Sequence, residues 1–244
     1  MRNIKLTIEY DGTDYCGWQR QKNGVSIQEL IEKALRKILH ERIKIIGAAR
    51  TDSGVHAKGQ AANFKTHSKL PLSKLKMALN NNLPRDISVI EIKSAARGFN
   101  AQFSAKSKLY RYSIFNRKEK TPFFDKYFVH IPYNLNIQAM RKASKHLIGK
   151  HDFSSFKGSK GVTKTQERNI KKILLEKKGF FIFMDIEADG FLYNMARNIV
   201  GTLIEAGRNK IKPRIVKNIL SLRDRKKAGP TAQAKGLTLV RVEY

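Results

Sequence analysis

The sequence predicts an α+β fold of two halves, each reading β-α-β-β-α-β in the manner of a ferredoxin-like unit. Three observations carry this. Strand-period and helix-period runs alternate two at a time along the chain. IKKILLE and FFIFMDIEA are joined by Lys177-Lys178-Gly179, a hairpin signal and not a parallel crossover. The 244 residues, 41% of them hydrophobic, suffice to bury a core in one large domain or two small ones.

The elements follow in order. In IKLTIEY, Ile4, Leu6, Ile8 and Tyr10 alternate with Lys5, Thr7 and Glu9, a strand with one buried side. After the loop DGTDYCGWQRQKNGV, Ser26 and Glu29 form a capping box, and Ile27, Leu30, Ile31, Ala34, Leu35, Ile38 and Leu39 make a helical stripe. RIKIIGAA and AANFKT read as buried strands flanking a glycine-rich turn. A helix is expected over Leu72 to Asn82, then the strand DISVIEI. The second half opens on KLYRYSIF, with Tyr110, Tyr112 and Ile114 on one face and Arg111 and Ser113 on the other. A helix from Ile137 to Ile148, the hairpin, a helix from Leu192, a helix with Pro213 in its first turn and the strand GLTLVRVEY complete it. The small, polar FSAKSK places the boundary between residues 1–104 and 105–244.

Charge narrows the partner. Lys and Arg number 49 against 20 Asp and Glu, a net charge of +29. Self-repulsion on that scale answers to a polyanion, nucleic acid first and an anionic membrane surface second. The single cysteine, Cys16, excludes an internal disulfide and a cysteine metal cluster. The six histidines show no HxxxH or HxxE spacing, so no metal is expected. No apolar run approaches the ~20 residues of a membrane span. The first residues enter a strand pattern directly, so the expected setting is reducing and cytoplasmic.

Several residues are candidates for chemistry or binding. Asp52 lies in GAARTDSGVHAKGQ, where Thr-Asp-Ser-Gly is ordinary turn chemistry. Arg50, two residues earlier, would hold the carboxylate ionised, and flanking buried strands would hold the loop rigid. Arg197 lies beside the apolar stripe of its helix, in the row Tyr193, Arg197, Gly201, and is either snorkelling to water or deliberately paired. Tyr110 and Tyr112 suit a core, although a phenol also stacks on a base or handles a proton. Trp18, interleaved with Arg20 and Lys22, fits either nucleic-acid contact or a plug at the sheet end. KGSKGVTKT offers Lys157, Lys160 and Lys164 to phosphates but matches no P-loop.

Six segments together resemble the TruA family of tRNA pseudouridine synthases: YDGTDYCGWQRQ, ARTDSGVHAKGQ, FNAQFSAKSKLYRY, HDFSSF, GFLYNMARNIVG and GPTAQAKGLTL. They occur in the family's order across nearly the whole chain. The resemblance implies two α+β lobes sharing a mostly antiparallel mixed sheet with a basic cleft between them, working as a homodimer. It implies isomerisation of uridine to pseudouridine at positions 38, 39 and 40 of the tRNA anticodon arm, without cofactor or metal. By the same resemblance Asp52 is the nucleophile, Arg50 helps extrude the nucleotide, Tyr110 stacks on the uracil, and Arg197 pairs with Asp52. Ala49 and Ser53 stand where the family commonly has Gly and Ala. Gln233 replaces a common proline, which is expected to loosen its loop. The competing class is a non-catalytic RNA-binding or RNA-chaperone protein using the same basic surface.

Overall fold

The computed structural model describes residues 1–159 and 163–244. Two compact units emerge, Met1–Lys106 with Thr238–Tyr244, and Ser107–Leu237.

The first unit begins with β1 (Arg2–Tyr10), α1 (Ile27–Leu39), β2 (Ile46–Gly47), β3 (His56–Thr66), α2 (Leu72–Asn82) and β4 (Ile87–Ala95), the order expected. β1 runs antiparallel to both β3 and β4. The predicted face of β1 is its buried one: Ile4, Leu6 and Ile8 are fully buried and Tyr10 nearly so. Ile27, Ile31 and Leu35 of α1 and Leu75 and Leu79 of α2 are likewise fully buried. Each such aliphatic side chain contributes roughly 1.5–3 kcal/mol by leaving water. The other face is covered locally. Lys5 lies 3.9 Å from the centre of the Tyr244 ring, and Phe99 packs on that ring at 4.9 Å.

Ser26 caps α1 by accepting the Glu29 N–H at 3.3 Å, but the Glu29 carboxylate turns to Lys33 at 2.9 Å, so half of the capping box forms. The stretch RIKIIGAA is shorter as a strand than its apolar pattern suggests. Its strand β2 covers only Ile46 and Gly47, opposite Asn63 and Ala62, with one further bond from the Ala48 N–H to the Ala61 carbonyl at 2.8 Å. The following strand is longer, because His56–Gln60 of the glycine-rich motif already belong to β3.

The second unit contains β5 (Ser107–Phe115), β6 (Val129–His130), α3 (Ile137–Lys145), β7 (Gly149–Asp152), β8 (Glu167–Lys178), β9 (Phe181–Ala188), α4 (Met195–Gly207) and α5 (Ile215–Leu222). β5, β7 and β9 join through antiparallel ladders β5–β9, β9–β8 and β8–β7, while β6 adds a short parallel pair to β5. Lys177–Gly179 makes the predicted β8–β9 hairpin, with Gly179 at φ +56°. Tyr112, Ile114, Ile182, Met184 and Ile186 are fully buried, as are Met140, Ala143, Ile199, Val200 and Leu203 of the helices. α4 starts three residues later than its apolar stripe suggests, because Asn194 takes a left-handed conformation (φ +58°) before the first helical residue. The closing strand β10 (Leu237–Glu243) pairs in parallel with β3 of the first unit, Thr238 opposite His56. No helix among the described residues is long and apolar enough to cross a membrane.

Two features of the second unit have measurable consequences. A Cβ on Gly201 would lie 1.7 Å from the Pro230 carbonyl oxygen, a backbone atom with no rotamer to yield. Gly201→Ala should therefore destabilise the fold by about 3 kcal/mol, read as a lowered urea midpoint. Lys108 lies two residues before Tyr110 on the same strand face, and burial, reinforced by nearby Arg168, lowers its pKa to about 8. Between pH 8 and 10.5 the unfolded chain binds more protons than the folded one, so stability rises with pH across that window. Lys108→Met should raise the melting temperature at pH 7, and the difference should shrink as pH climbs from 8 to 10.

Candidate active-site elements

Asp52 occupies the first position of a β-turn whose last residue, Val55, donates its N–H to the Asp52 carbonyl at 3.1 Å. Gly54 holds φ +75° at the third position, where a β-branched or bulky residue would be strained. The turn is braced from several sides. The Trp18 N–H donates to the Thr51 carbonyl at 3.0 Å, and the Tyr10 hydroxyl and Thr51 Oγ1 are 2.8 Å apart. Ser53 Oγ donates to the Tyr15 carbonyl at 3.0 Å, and Tyr15 in turn donates to Asp86 at 2.6 Å. Upstream, the fully buried Gln60 amide clasps Ala49, accepting its N–H at 3.2 Å and donating to its carbonyl at 2.7 Å. Backbone polar groups in such a turn are expensive to bury unpaired, so this bonding is what lets the loop sit against the core.

Asp52 itself is half-buried and Arg50 is exposed. Burial pushes the Tyr10 phenol well above its usual range, so at neutral pH it bonds Thr51 as a neutral hydroxyl. Four residues beyond Asp52, buried His56 has its Nδ1 3.0 Å from the Gly12 N–H and 3.1 Å from Asp11 Oδ1. Unprotonated Nδ1 accepts from Gly12; protonated Nδ1 donates to Asp11. The loop entering α1 and the strand leaving the turn are thereby joined.

Trp18 resolves in favour of the plug. It is 2% exposed, its indole lies against Gly47, and its ring centre is 6.2 Å from that of Tyr10. With Gly47 against the indole and Tyr10 beside it, the ring is committed to the interior of the first unit. Residues that sequence reasoning passed over, Gln60 and Tyr10, hold the turn. Both look like ordinary strand positions, and only the partner across the fold marks them.

In the second unit Tyr110 is 7% exposed, with the Phe191 ring edge-on at 4.9 Å between centres. Tyr112 is the core aromatic of the pair. Its hydroxyl donates to the Gln233 carbonyl at 3.0 Å, its ring lies on Gly236, and burial raises its pKa. Arg111, on the opposite face, makes a bidentate pair with Asp185 at 2.7 Å. The two tyrosines thus have different surroundings despite their shared face.

Arg197 is half-buried and held, which separates it from a side chain merely reaching for water. Its Nε donates to the Ala232 carbonyl at 2.8 Å and its Nη1 to Asn194 Oδ1 at 3.3 Å, while its own carbonyl accepts the Ala232 N–H at 3.2 Å. The loop 229–233 is tied to α4 further along. Thr231 Oγ1 donates to the buried Asn198 side chain at 2.7 Å, Arg225 donates to the same oxygen at 2.9 Å, and the Gly229 N–H reaches Thr202 at 2.9 Å. Gln233 keeps the backbone geometry of this loop. Its φ of −59° is the value proline would impose, and its carbonyl is engaged by Tyr112. In KGSKGVTKT, Gly158 donates to the Tyr193 carbonyl at 2.8 Å and Lys164 is exposed; Lys160 lies outside the described residues.

Asp52 and Arg50 therefore belong to one unit, on the turn before β3, and Tyr110 and Arg197 to the other, on β5 and α4. A carboxylate on a braced turn, a buried tyrosine ring against Phe191 and a guanidinium held by backbone and Asn194 are the side chains these units present.

Comparison with known proteins extends this. The chain is 51% identical to tRNA pseudouridine synthase A of Thermoanaerobacter sp. (strain X514), over 100% of both chains. It is 47% identical to tRNA pseudouridine synthase A 2 of Clostridium perfringens (strain 13 / Type A) and 45% identical to tRNA pseudouridine synthase A of Acetivibrio thermocellus, again over 100% of each. The family pattern described as tRNA pseudouridine synthase matches residues 6–104 and 143–244, spanning the Asp52 turn and the Arg197 helix. With its full length shared at this identity, the chain belongs to the tRNA pseudouridine synthase family.

Proposed function

We propose that this chain isomerises uridine to pseudouridine at positions 38, 39 and 40 of the tRNA anticodon arm, with Asp52 as nucleophile. The carrying observation is the full-length similarity to tRNA pseudouridine synthases, with the family pattern over residues 6–104 and 143–244, together with a turn that presents Asp52 from a bonded, buried scaffold.

A uridine inside a stem is out of reach, so the nucleotide must leave the stack at a cost of a few kcal/mol. Arg50, exposed beside the turn, is suited to fill the vacated space. Asp52 attacks ribose C1′ or uracil C6, and the C1′–N1 bond breaks with its electron pair leaving on the base. The base rotates, C5 bonds to C1′, the bond from Asp52 to C1′ or C6 breaks with its electron pair returning to the carboxylate, the C5 proton departs, and N1 takes up a proton. No redox partner is needed, because the product is an isomer of the substrate. Tyr110 supplies a ring for the uracil and a phenol near the departing proton. Arg197 supplies the cation that keeps the attacking carboxylate ionised, since a protonated carboxyl is a poor nucleophile. We propose further that the enzyme is a cytoplasmic homodimer, which sedimentation at micromolar concentration would test.

A non-catalytic RNA-binding role predicts steeply salt-dependent tRNA binding without chemistry. Release of tritium from C5-labelled tRNA separates the two readings. Asp52→Asn should abolish that release while tRNA affinity stays within about twofold; undiminished turnover would remove Asp52 as nucleophile. Tyr110→Phe keeps the ring against Phe191, so binding should persist while kcat falls about 10²-fold or more. A normal kcat would restrict Tyr110 to stacking. Arg197→Ala should lower kcat far more than affinity, because cationic side chains remain plentiful; equal losses would assign Arg197 to binding alone.

A further inference from the structure

The first unit carries a second basic feature that the chemistry above does not use. At the end of β3 remote from the Asp52 turn lies a concavity of ≈ 680 Å³, lined among others by Arg42, Lys44, Lys65, Arg97, Phe99 and Asn100. All four cations are exposed, and no Asp or Glu lines the space. Among the described residues none of the four is ion-paired, whereas Lys33, Lys93, Arg111, Lys150, Lys178 and Arg241 elsewhere each have a carboxylate.

The nearest acids in sequence are already committed. Glu41 accepts from Thr66 and from the His67 and Ser68 N–H groups, and Glu32 accepts the Ile45 N–H. Their use in fixing the chain around the concavity leaves its positive charge uncompensated. The frame is firm. Asn63 donates to Asn3 at 2.9 Å and accepts the Ala101 N–H at 2.8 Å, so the loop carrying Arg97 and Phe99 is fastened to β3. Asn100 uses its Oδ1 on the Gln102 and Phe103 N–H groups, which leaves its amide N–H groups to face a further acceptor.

Four like charges around one concavity repel each other, and a ligand that relieves this must be anionic. A row of separated cations on an open surface suits consecutive phosphates better than one small anion. We propose that this concavity is a second RNA-backbone site, which grips phosphates of the substrate well away from the nucleotide that reacts.

Its distance defines what it grips. Asn63 lies seven residues along β3 from His56, roughly 24 Å at about 3.4 Å per residue. Even at the ~3.4 Å step of B-form DNA, which an A-form RNA stem does not exceed, a hairpin stem of about five base pairs reaches only ~17 Å along its axis. A minimal anticodon stem–loop held at Asp52 therefore falls short, and the rest of a full-length tRNA is what arrives. The inference rests on the chain's acting on tRNA, but its test reads binding and needs no turnover.

The experiment compares wild type with the quadruple variant Arg42→Gln, Lys44→Gln, Lys65→Gln, Arg97→Gln. Because those positions are exposed, neutralising them leaves the core intact, which a thermal melt verifies. A control variant neutralises Lys142, Lys145, Lys212 and Lys217, exposed cations of the second unit. Affinity for a full-length tRNA transcript and for an isolated anticodon stem–loop is measured from 0.05 to 0.3 M salt. The concavity variant should lose at least ~10-fold in tRNA affinity, with a log–log salt slope shallower by roughly 3, and keep its stem–loop affinity. The control should lose less than ~3-fold. Equal losses in the two variants would overturn the proposal in favour of diffuse charge, as would an unchanged tRNA affinity. Equal losses on tRNA and stem–loop would overturn it by placing these cations at the reacting arm. A wild type that shows the expected binding pattern but releases no tritium would sink the enzymatic reading and leave this site standing.

Discussion

Strand β3 is the constraint on which the first unit depends. It is hydrogen-bonded to β1, to the short β2 and, in parallel, to the chain's last strand, so its backbone groups are paired along most of its length. A strand held in this way cannot slide, since a one-residue slip would turn each of its side chains to the other face. The Asp52 turn leads directly into it, and Gln60 reaches back from it to lock Ala49. The position of one carboxylate is thus inherited from the register of a sheet, and that register rests on the burial of Ile4, Leu6 and Ile8 opposite.

The second unit solves the same problem with a helix. Arg197 needs its guanidinium fixed, and α4 fixes it by taking loop 229–233 against its side through Gly201. The closeness of Pro230 to Gly201 is what allows Ala232 to accept from Arg197 Nε and to donate its own N–H to the Arg197 carbonyl. Asn198, fully buried, accepts from both Thr231 and Arg225 and donates to the Phe156 carbonyl at 2.7 Å. A half-satisfied network of this kind would be destabilising; satisfied, it specifies one loop conformation. Glycine, asparagine and threonine at these positions carry no chemistry themselves, yet they determine where the chemistry-bearing arginine sits.

Charge shows a division of labour. Acids are few, and many of them are used structurally: Glu41 and Glu32 fasten backbone, Asp185 holds Arg111, Asp86 holds Tyr15. The remaining cations are left for a polyanion. This is why the net charge of +29 is informative about a partner and silent about the fold.

Much of this was legible in the residues. The strand alternation of β1, the stripe of α1 and the Lys-Lys-Gly hairpin follow from periodicity and turn chemistry, which are local properties. Asp52 in a turn with Gly54 was equally plain, and the six ordered motifs identified the family. Sequence alone left Trp18 open between plug and RNA contact, and Arg197 open between snorkelling and pairing, because both alternatives place the same side chain beside the same stripe. It overextended RIKIIGAA as a strand, since apolar residues are buried whether or not their backbone pairs. It expected Gln233 to loosen a loop that Tyr112, Arg197 and Asn198 hold. Those outcomes depend on residues far apart in the chain. Local pattern determined which segments are helix, strand and turn; only the tertiary structure, by bringing distant hydrogen-bond partners together, decided which polar side chains are fixed and which are left to meet a substrate.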